Sequence, residues 1–434
     1  MGGPFVPQFH EQNDPSKKRE SAPDPAVFRT PLSIRGKSVP NRIVYQPMEG
    51  CDGTPAGEPG ELTLRRYERF AQGGAGVIWL EATAVLPEAR ANPRQLYLND
   101  ATQDSFARMA EHIRETCMRA HGFAPLLILQ LTHSGRYSKP HGVPEPLIAV
   151  NNPLFEVDAP IPESRILSDD ALAAVGGTMA GVAARAKAAG FDGVDVKCCH
   201  RYLYSELLSA HTRPGRYGGS FENRTRLLRD TLDAVRGTCG NDFILATRLN
   251  VYDGFPYPYG FGVSPDGGLA FDPAEGVRLV QDCVNAGADL INVTMGNPYV
   301  NPHVNRPSAM GASRSEAELP EQGVARLLEG ARRMQAAVPG TPVVCSGLSF
   351  LGARGGEQAA EDLAAGAYAL AGFGRMTLAY PDLAADLCAG RGLDPAKCCV
   401  ACGKCSQVMR AGGTPGCVVR DSEVYLPIYR ALCR

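Results

Sequence analysis

The sequence predicts an eight-stranded β/α barrel followed by a short cysteine-bearing C-terminal module. Three observations carry that expectation. Eight β-branched-rich runs alternate with helical stretches, polar side chains gather at the C-terminal ends of those runs, and four of the last six cysteines crowd into one short stretch. Alternation of this kind is the mark of βα units and a parallel sheet.

The eight runs span 41–48, 76–85, 125–133, 193–199, 244–251, 289–296, 342–348 and 367–374. Most are near-continuously apolar, as strands covered on both faces must be. Between the third and fourth, Ser168 is an N-cap followed by Asp169 and Asp170. Leu172, Val175, Met179 and Val182 then recur at helical spacing until Gly190 stops the helix. A second outer helix starts at Pro320, a residue suited to a first turn, and carries Val324, Leu327, Leu328 and Met334 toward Pro339 and Gly340. An open, doubly wound sheet would give similar local patterns, so the polar residues decide between the two. The expected division is an N-terminal extension over 1–30, a barrel over 31–390 and the cysteine module over 391–434.

Composition excludes several classes. The 434 residues are 44% hydrophobic and 21% charged, with a formal net charge of -2, which speaks against a nucleic-acid partner. There is no apolar run long enough for a membrane span, and the polar, Pro-rich N-terminus is no secretory signal, so a cytoplasmic location is expected. Fourteen cysteines in a reducing compartment point to metal more than to disulfides, although Cys283 and Cys345 lie in apolar segments and read as buried structural thiols.

In a β/α barrel the chemistry sits at the C-terminal face, and phosphate is often held after strands seven and eight. The third run ends in Gln130 and His133, the fourth in Lys197 and His200 with Tyr202 just beyond, and the fifth carries Arg248. The seventh runs into Gly347 and the eighth into Gly374 and Arg375. Glycine lets backbone N–H groups approach a phosphate and arginine adds a charged fork. Taken singly, Arg248 could be a surface ion pair and Gln130 a satisfied polar residue; their joint placement favours a site.

The stretch RPGRYGGSFENRTR (213–226), together with QLTHSGRYS (130–138) and NRIVYQPM (41–48), resembles the old yellow enzyme family of FMN-dependent oxidoreductases. The resemblance covers about residues 30–420. Its nearest branch in architecture is similar to 2,4-dienoyl-CoA reductase and trimethylamine dehydrogenase, which append an iron–sulfur module to the barrel. Carried over residue by residue, it implies Pro47, Met48 and Ala82 along the flavin ring and Gln130 on the pyrimidine edge. Arg248 would face N1 and O2, where a guanidinium stabilises the charge of reduced flavin. Gly347, Gly374 and Arg375 would hold the FMN phosphate. Lys197 and His200 take the positions of the carbonyl-binding pair, and Tyr202 that of the proton-donating tyrosine.

Two residues depart from the family pattern. Lys197 stands where relatives carry histidine or tyrosine, and either puts a cation near the flavin and the substrate carbonyl or binds an acidic substrate group. Glu49 stands where relatives carry Thr or Cys, and either turns away or destabilises the reduced flavin.

Cys399, Cys402 and Cys405 at two-residue spacing, then Cys417, suit a tetrahedral zinc or a [4Fe–4S] cube equally well by spacing alone. The family resemblance favours [4Fe–4S], with Cys398 as the spare thiol or as an alternative first ligand in place of Cys399.

The implied reaction is an ene-reduction. FMN passes hydride from N5 to an alkene conjugated to a carbonyl, in an enone or enoyl thioester, Lys197 and His200 polarise the carbonyl, and Tyr202 supplies the proton. The cluster would be the point of electron entry. No G-x-G-x-x-G fingerprint follows a strand. Electrons are therefore expected from a separate donor protein or from NAD(P)H acting directly on the flavin, and a homo-oligomer is compatible with the sequence. The aromatic loop 254–262 is expected to act as a lid or to pack on the barrel rim, and His303 is a candidate substrate contact. Two other classes compete: an amine dehydrogenase of the trimethylamine dehydrogenase type, disfavoured by a single tryptophan, Trp79, and a non-enzymatic, zinc-stabilised barrel.

Overall fold

The computed structural model describes residues 24–311 and 314–433, so most of the expected N-terminal extension lies outside the described residues. Eight strands make the barrel: β1 (Ile43–Tyr45), β2 (Val77–Ala84), β3 (Leu126–Thr132), β4 (Gly193–Val196), β5 (Ile244–Asn250), β6 (Leu290–Thr294), β7 (Val343–Val344) and β8 (Ala371–Phe373). All neighbouring pairs are parallel, and β8 lies beside β1. A parallel bridge between Val344 and Leu370, with Cys345 N donating to Leu370 O at 3.1 Å, closes the ring. The expected barrel is therefore observed, and the open sheet is not.

Alternation sorts the strand residues into two cores. Val77, Trp79, Leu126, Ile128, Ile244 and Ala246 point into the barrel, while Ile78, Leu80, Leu127, Leu129 and Leu245 pack outward under the helices. An N-terminal hairpin (Leu32–Ile34 with Lys37–Val39) adds Ile34 and Val39 to the inner cluster.

Seven helices form the outer ring: α1 (Glu61–Gln72), α2 (Gln103–His121), α3 (Asp169–Ala188), α4 (Arg226–Cys239), α5 (Ala274–Asn285), α6 (Pro320–Ala337) and α7 (Arg354–Ala364). Ser168 caps α3 by accepting from Ala171 N at 3.1 Å, and Pro320 opens α6, as the sequence predicts. Observed strands are shorter than the apolar runs. The eighth keeps only three residues, because 367–370 serve the closure with β7 before pairing with β1 begins. No helix among the described residues is long and apolar enough to cross a membrane.

The chain beyond β8 folds back over the C-terminal face of the barrel. Its helices α8 (Lys404–Arg410) and α9 (Ser422–Leu432) enclose a small core of Val408, Val418 and Tyr425. Asp421 ties this segment to α1 by accepting from Arg65 at 2.7 and 3.0 Å and from Arg69.

A buried ionic knot holds the loop after β1 against β2. Arg66 pairs with Asp52 at 2.6 Å and with Glu81, and Glu81 Oε2 accepts from Gly50 N at 2.7 Å. Removing the cation leaves two carboxylates buried without a counter-charge. Arg66→Ala should therefore cost about 3–5 kcal/mol, measured as a lowered denaturant midpoint, with the loss growing as pH rises past about 7, where Glu81 ionises.

Candidate active site

The ends of the strands surround one cleft of about 1140 Å³, open mouth included. Each flavin-site and catalytic residue named from the sequence lines it: Pro47, Met48, Ala82, Gln130, Arg248, Gly347, Gly374 and Arg375, with Lys197, His200 and Tyr202. Cys405 lines the same cleft.

Local structure explains how several of these side chains are aimed. Gln46 locks the start of the Pro47–Glu49 segment, donating to Cys345 O at 3.0 Å and accepting from Asn292 Nδ2 at 2.7 Å. The pairing register of β2 shifts between Leu80 and Thr83, a bulge that falls at Ala82. Gly347 adopts φ 110°, a conformation suited to glycine, and a side-chain carbon there would press on Leu327 at 3.2 Å.

Asp195 on β4 is the hub beneath the cleft. Its carboxylate accepts from Trp79 Nε1 at 2.9 Å, Gln130 Nε2 at 2.6 Å and Arg248 N at 2.6 Å. Burial raises its pKa, and these three donors oppose the rise. A carboxylate is an acceptor, so Gln130 must turn its NH₂ toward Asp195 and keep its carbonyl oxygen for the cleft. Above it, Arg248 is 8% exposed and its Nε finds no partner among the described residues. A buried donor without an acceptor and a free amide oxygen are the complement of a ligand edge that offers both an acceptor and an N–H, as a flavin pyrimidine does.

Beyond β4 the chain makes a tight turn with two non-glycine residues at positive φ, His200 at 64° and Arg201 at 60°. Strain of this kind persists only where the surroundings hold it. Arg201 supplies that hold, pairing with Asp253 at 2.9 Å and donating to Tyr259 O at 2.9 Å. Burial and the charges of Arg248, Lys197 and Arg306 keep the pKa of His200 well below 6.5, so its ring is neutral at pH 7.

The two departures from the family pattern meet here. Lys197 Nζ stands 3.7 Å from the centre of the Tyr202 ring, and Glu49 faces both residues. Burial lowers the lysine pKa and raises that of Glu49, and the attraction between the two opposes both shifts. Glu49 is therefore not turned away. Tyr202 Oη hydrogen-bonds Tyr299 Oη at 2.8 Å, and Tyr299 stacks on Tyr137 at 3.9 Å.

Other expectations need correction or completion. The 254–262 loop packs on the rim: Phe255 and Phe261 are buried, and none of its residues lines the cleft. His303 does not line the cleft either, whereas its neighbours Tyr299, Asn305 and Arg306 do. His133, buried with its pKa lowered to about 4, accepts from Gly135 N and is structural. Among the cysteines, Cys399 faces Cys405 and Cys417, and Cys417 also faces Cys402. Cys398 is turned instead toward Asp394 and Arg420. No three His, Cys, Asp or Glu side chains among the described residues stand close enough to hold a single metal ion.

A sequence profile of the NADH:flavin oxidoreductase / NADH oxidase family matches residues 27–259. The chain belongs to this family. An NADPH dehydrogenase of Bacillus licheniformis is 31% identical over 273 residues, 62% of this chain and 72% of that protein. An NADH:flavin oxidoreductase of Gibberella zeae is 27% identical over 316 residues, 67% of this chain and 72% of that protein. Among solved structures, 2-naphthoyl-CoA reductase in complex with 2-naphthoyl-CoA superposes with a TM-score of 0.74 at 20% identity over 91% of this chain. A histamine dehydrogenase of a Rhizobium species gives 0.68 at 19% over the same share. The chain spans 57% and 52% of those two longer proteins. Morphinone reductase in complex with tetrahydroNAD gives 0.60 at 23% and is covered over 93% of its length. As a member of the family, the protein is an FMN-dependent oxidoreductase of the old yellow enzyme type.

Asp195→Asn replaces an acceptor with a group that can donate, which frees Gln130 to flip and present its NH₂ to the flavin. The expected result is FMN affinity weakened about tenfold, one net hydrogen bond of about 1.4 kcal/mol, read by fluorescence titration of the apoprotein with FMN.

Proposed function

We propose that the protein is an FMN- and [4Fe–4S]-dependent ene-reductase acting on an alkene conjugated to a carbonyl, such as an enone or enoyl thioester. One observation carries this: Lys197, His200 and Tyr202 share a single cleft with the flavin-site set and with Cys405. When bound, FMN supplies the hydride for the alkene and the cluster supplies single electrons. The remaining chemistry belongs to side chains.

His200, held neutral, donates a hydrogen bond to the substrate carbonyl without adding charge. Asn305 Nδ2 lies 3.3 Å from its Nε2, a contact that favours the proton on Nδ1. Lys197 adds a cation that stabilises the enolate oxygen as charge develops there. Tyr202 gives its phenolic proton to the α-carbon, and the ammonium on its ring face stabilises the phenolate left behind. Tyr299 Oη, 2.8 Å away, is the nearest hydroxyl from which Tyr202 can be reprotonated.

Four cysteines at this spacing suit a [4Fe–4S] cube with one thiolate on each iron, and the family resemblance favours that reading over zinc. Cys399, facing Cys405 and Cys417, supports that residue and not Cys398 as the first ligand. Electrons reach the site from a separate donor protein or from NAD(P)H, and the solved complex of morphinone reductase with tetrahydroNAD supports the second route.

The likeness to histamine dehydrogenase raises an amine dehydrogenase as the second reading, and Tyr137, Tyr202 and Tyr299 with Glu49 give it some support. Lys197 weighs against it, because its ammonium already occupies the face of Tyr202 that a substrate cation would need.

Anaerobic purification, a visible spectrum and iron, sulfide, zinc and flavin analysis test the proposal. About one FMN and four irons per chain are expected; zinc without iron would sink the cluster, and colourless protein the whole proposal. In rapid-mixing experiments with 2-cyclohexenone, Tyr202→Phe should slow reoxidation of the reduced flavin about 10²–10⁴-fold and leave flavin reduction unchanged.

A further inference from the structure

Arg306 follows the short helix Pro302–Asn305, in the connection between β6 and α6. Its guanidinium reaches across to the cysteine segment. Nη1 donates to Ser406 Oγ at 2.5 Å and Nη2 to Pro298 O at 2.8 Å, while Nε is buried without a partner among the described residues. Arg410 Nη2 donates to the same Pro298 carbonyl at 3.0 Å. Arg375 completes a group of three guanidiniums, and among the described residues no carboxylate forms an ion pair with any of them.

Burial and the repulsion of Arg375 and Arg410 lower the Arg306 pKa to about 10, which still leaves it charged at neutral pH; the Cys405 thiol acts in the opposite direction. Arg375 in turn faces Cys399. Arg306 and Arg375 both line the flavin cleft, and each looks onto a different one of the four cysteines.

Arg410 is exposed and Arg306 and Arg375 are half-buried, with Arg306 Nε enclosed; a partly buried cation without a counter-charge is stabilised when an anion joins it. Two anions are implied here, the FMN phosphate and a cluster bound by four thiolates. On the proposed reading Arg375 is the partner of the phosphate. Arg306 is the cation left for the cluster side.

We propose that Arg306 is the positioning residue that couples the flavin cleft to the cluster, its guanidinium clamping Ser406 beside Cys405 and its charge raising the cluster's reduction potential. This rests on the iron–sulfur assignment above. A fixed positive charge stabilises the reduced cluster more than the oxidised one, because reduction adds an electron. The potential therefore rises with Arg306 in place, and an entering electron is held next to the flavin.

The test is an EPR-monitored redox titration of the anaerobically purified holoenzyme, with iron and FMN content measured on each sample. Arg306→Gln keeps a hydrogen-bonding side chain and removes the charge. Its reduction equilibrium should fall on the order of tenfold, as for a unit charge about 10 Å away at an effective dielectric near 20, which is a shift of 59 mV to more negative potential. Arg306→Lys and Ser406→Ala, which keep the charge, should titrate at the native potential. An Arg306→Gln protein with full iron and FMN content and the native potential overturns the proposal, and so does a Ser406→Ala shift as large as that of Arg306→Gln. If Arg306→Gln does not load iron, Arg306→Lys carries the test, and a markedly lowered potential in that variant overturns the proposal. Native protein without iron would instead remove the cluster itself.

Discussion

The site depends on one buried carboxylate. Asp195 sits inside the barrel with no solvent contact, and three donors from three other strands converge on it. A charge in that setting is tolerated only if its lone pairs are occupied, and their occupation dictates where the donors stand. Trp79 is held on β2, Gln130 is oriented on β3, and the backbone of β5 is drawn in at Arg248. The residues meant for the flavin edge thus inherit their positions from hydrogen bonds made one layer below. That layer belongs to the packed interior, where alternation along each strand leaves no freedom to slip by one residue.

Above that layer the cleft is governed by charge. Lys197, Arg248, Arg306 and Arg375 are all cationic, and Glu49 is the carboxyl group among the lining side chains. FMN would bring its phosphate to Arg375 and, once reduced, negative charge to Arg248. Lys197 is offset locally by Glu49, which explains why the two unusual residues occur together. A lone lysine would repel Arg248 across the cleft, and a lone glutamate would oppose the reduced flavin. As a pair they leave the net charge near that of a neutral donor, while keeping an ammonium close to the oxygen on which charge develops.

The barrel was legible in the sequence because parallel strands buried on both faces write themselves as continuous apolar runs, and the polar residues that interrupt those runs mark the functional end. The limits of each strand were less legible. An apolar residue past the last ladder bond, such as those before Ala371, looks the same as one within it. Asp195 went unread for a related reason: within GVDV an isolated acid gives no sign of which residues on neighbouring strands it will meet. Tyr299, Asn305 and Arg306 lie in the irregular connection after β6, where no periodicity predicts direction, and His303 drew attention as an isolated histidine although its neighbours face the cleft. The aromatic loop 254–262 looked suited to movement because of its glycines. In the structure Asp253 and Arg201 pin it, and those two residues are separated from each other by more than a whole βα unit in the chain.

The approach of the cysteines to the flavin cleft follows from topology. In a barrel of this handedness the chain leaves the eighth strand at the face where phosphate is bound, so the next segment begins beside Gly374 and Arg375. The connection from Arg375 passes the foot of the barrel, where Ala385 N donates to Gly73 O at 3.0 Å ahead of β2, and returns so that Cys399 N donates to Met376 Sδ at 3.2 Å. The cysteine segment thus comes back to the cleft beside the residue that follows Arg375. What such an arrangement still requires is a way to hold like charges apart and unlike charges together at the seam. Arg65 and Arg69 on Asp421 fasten its outer edge, and Arg306 on Ser406 fastens its inner one. The inner clasp is made by a side chain that also lines the cleft, so a change of charge in the cleft would be felt electrostatically at the cysteine segment.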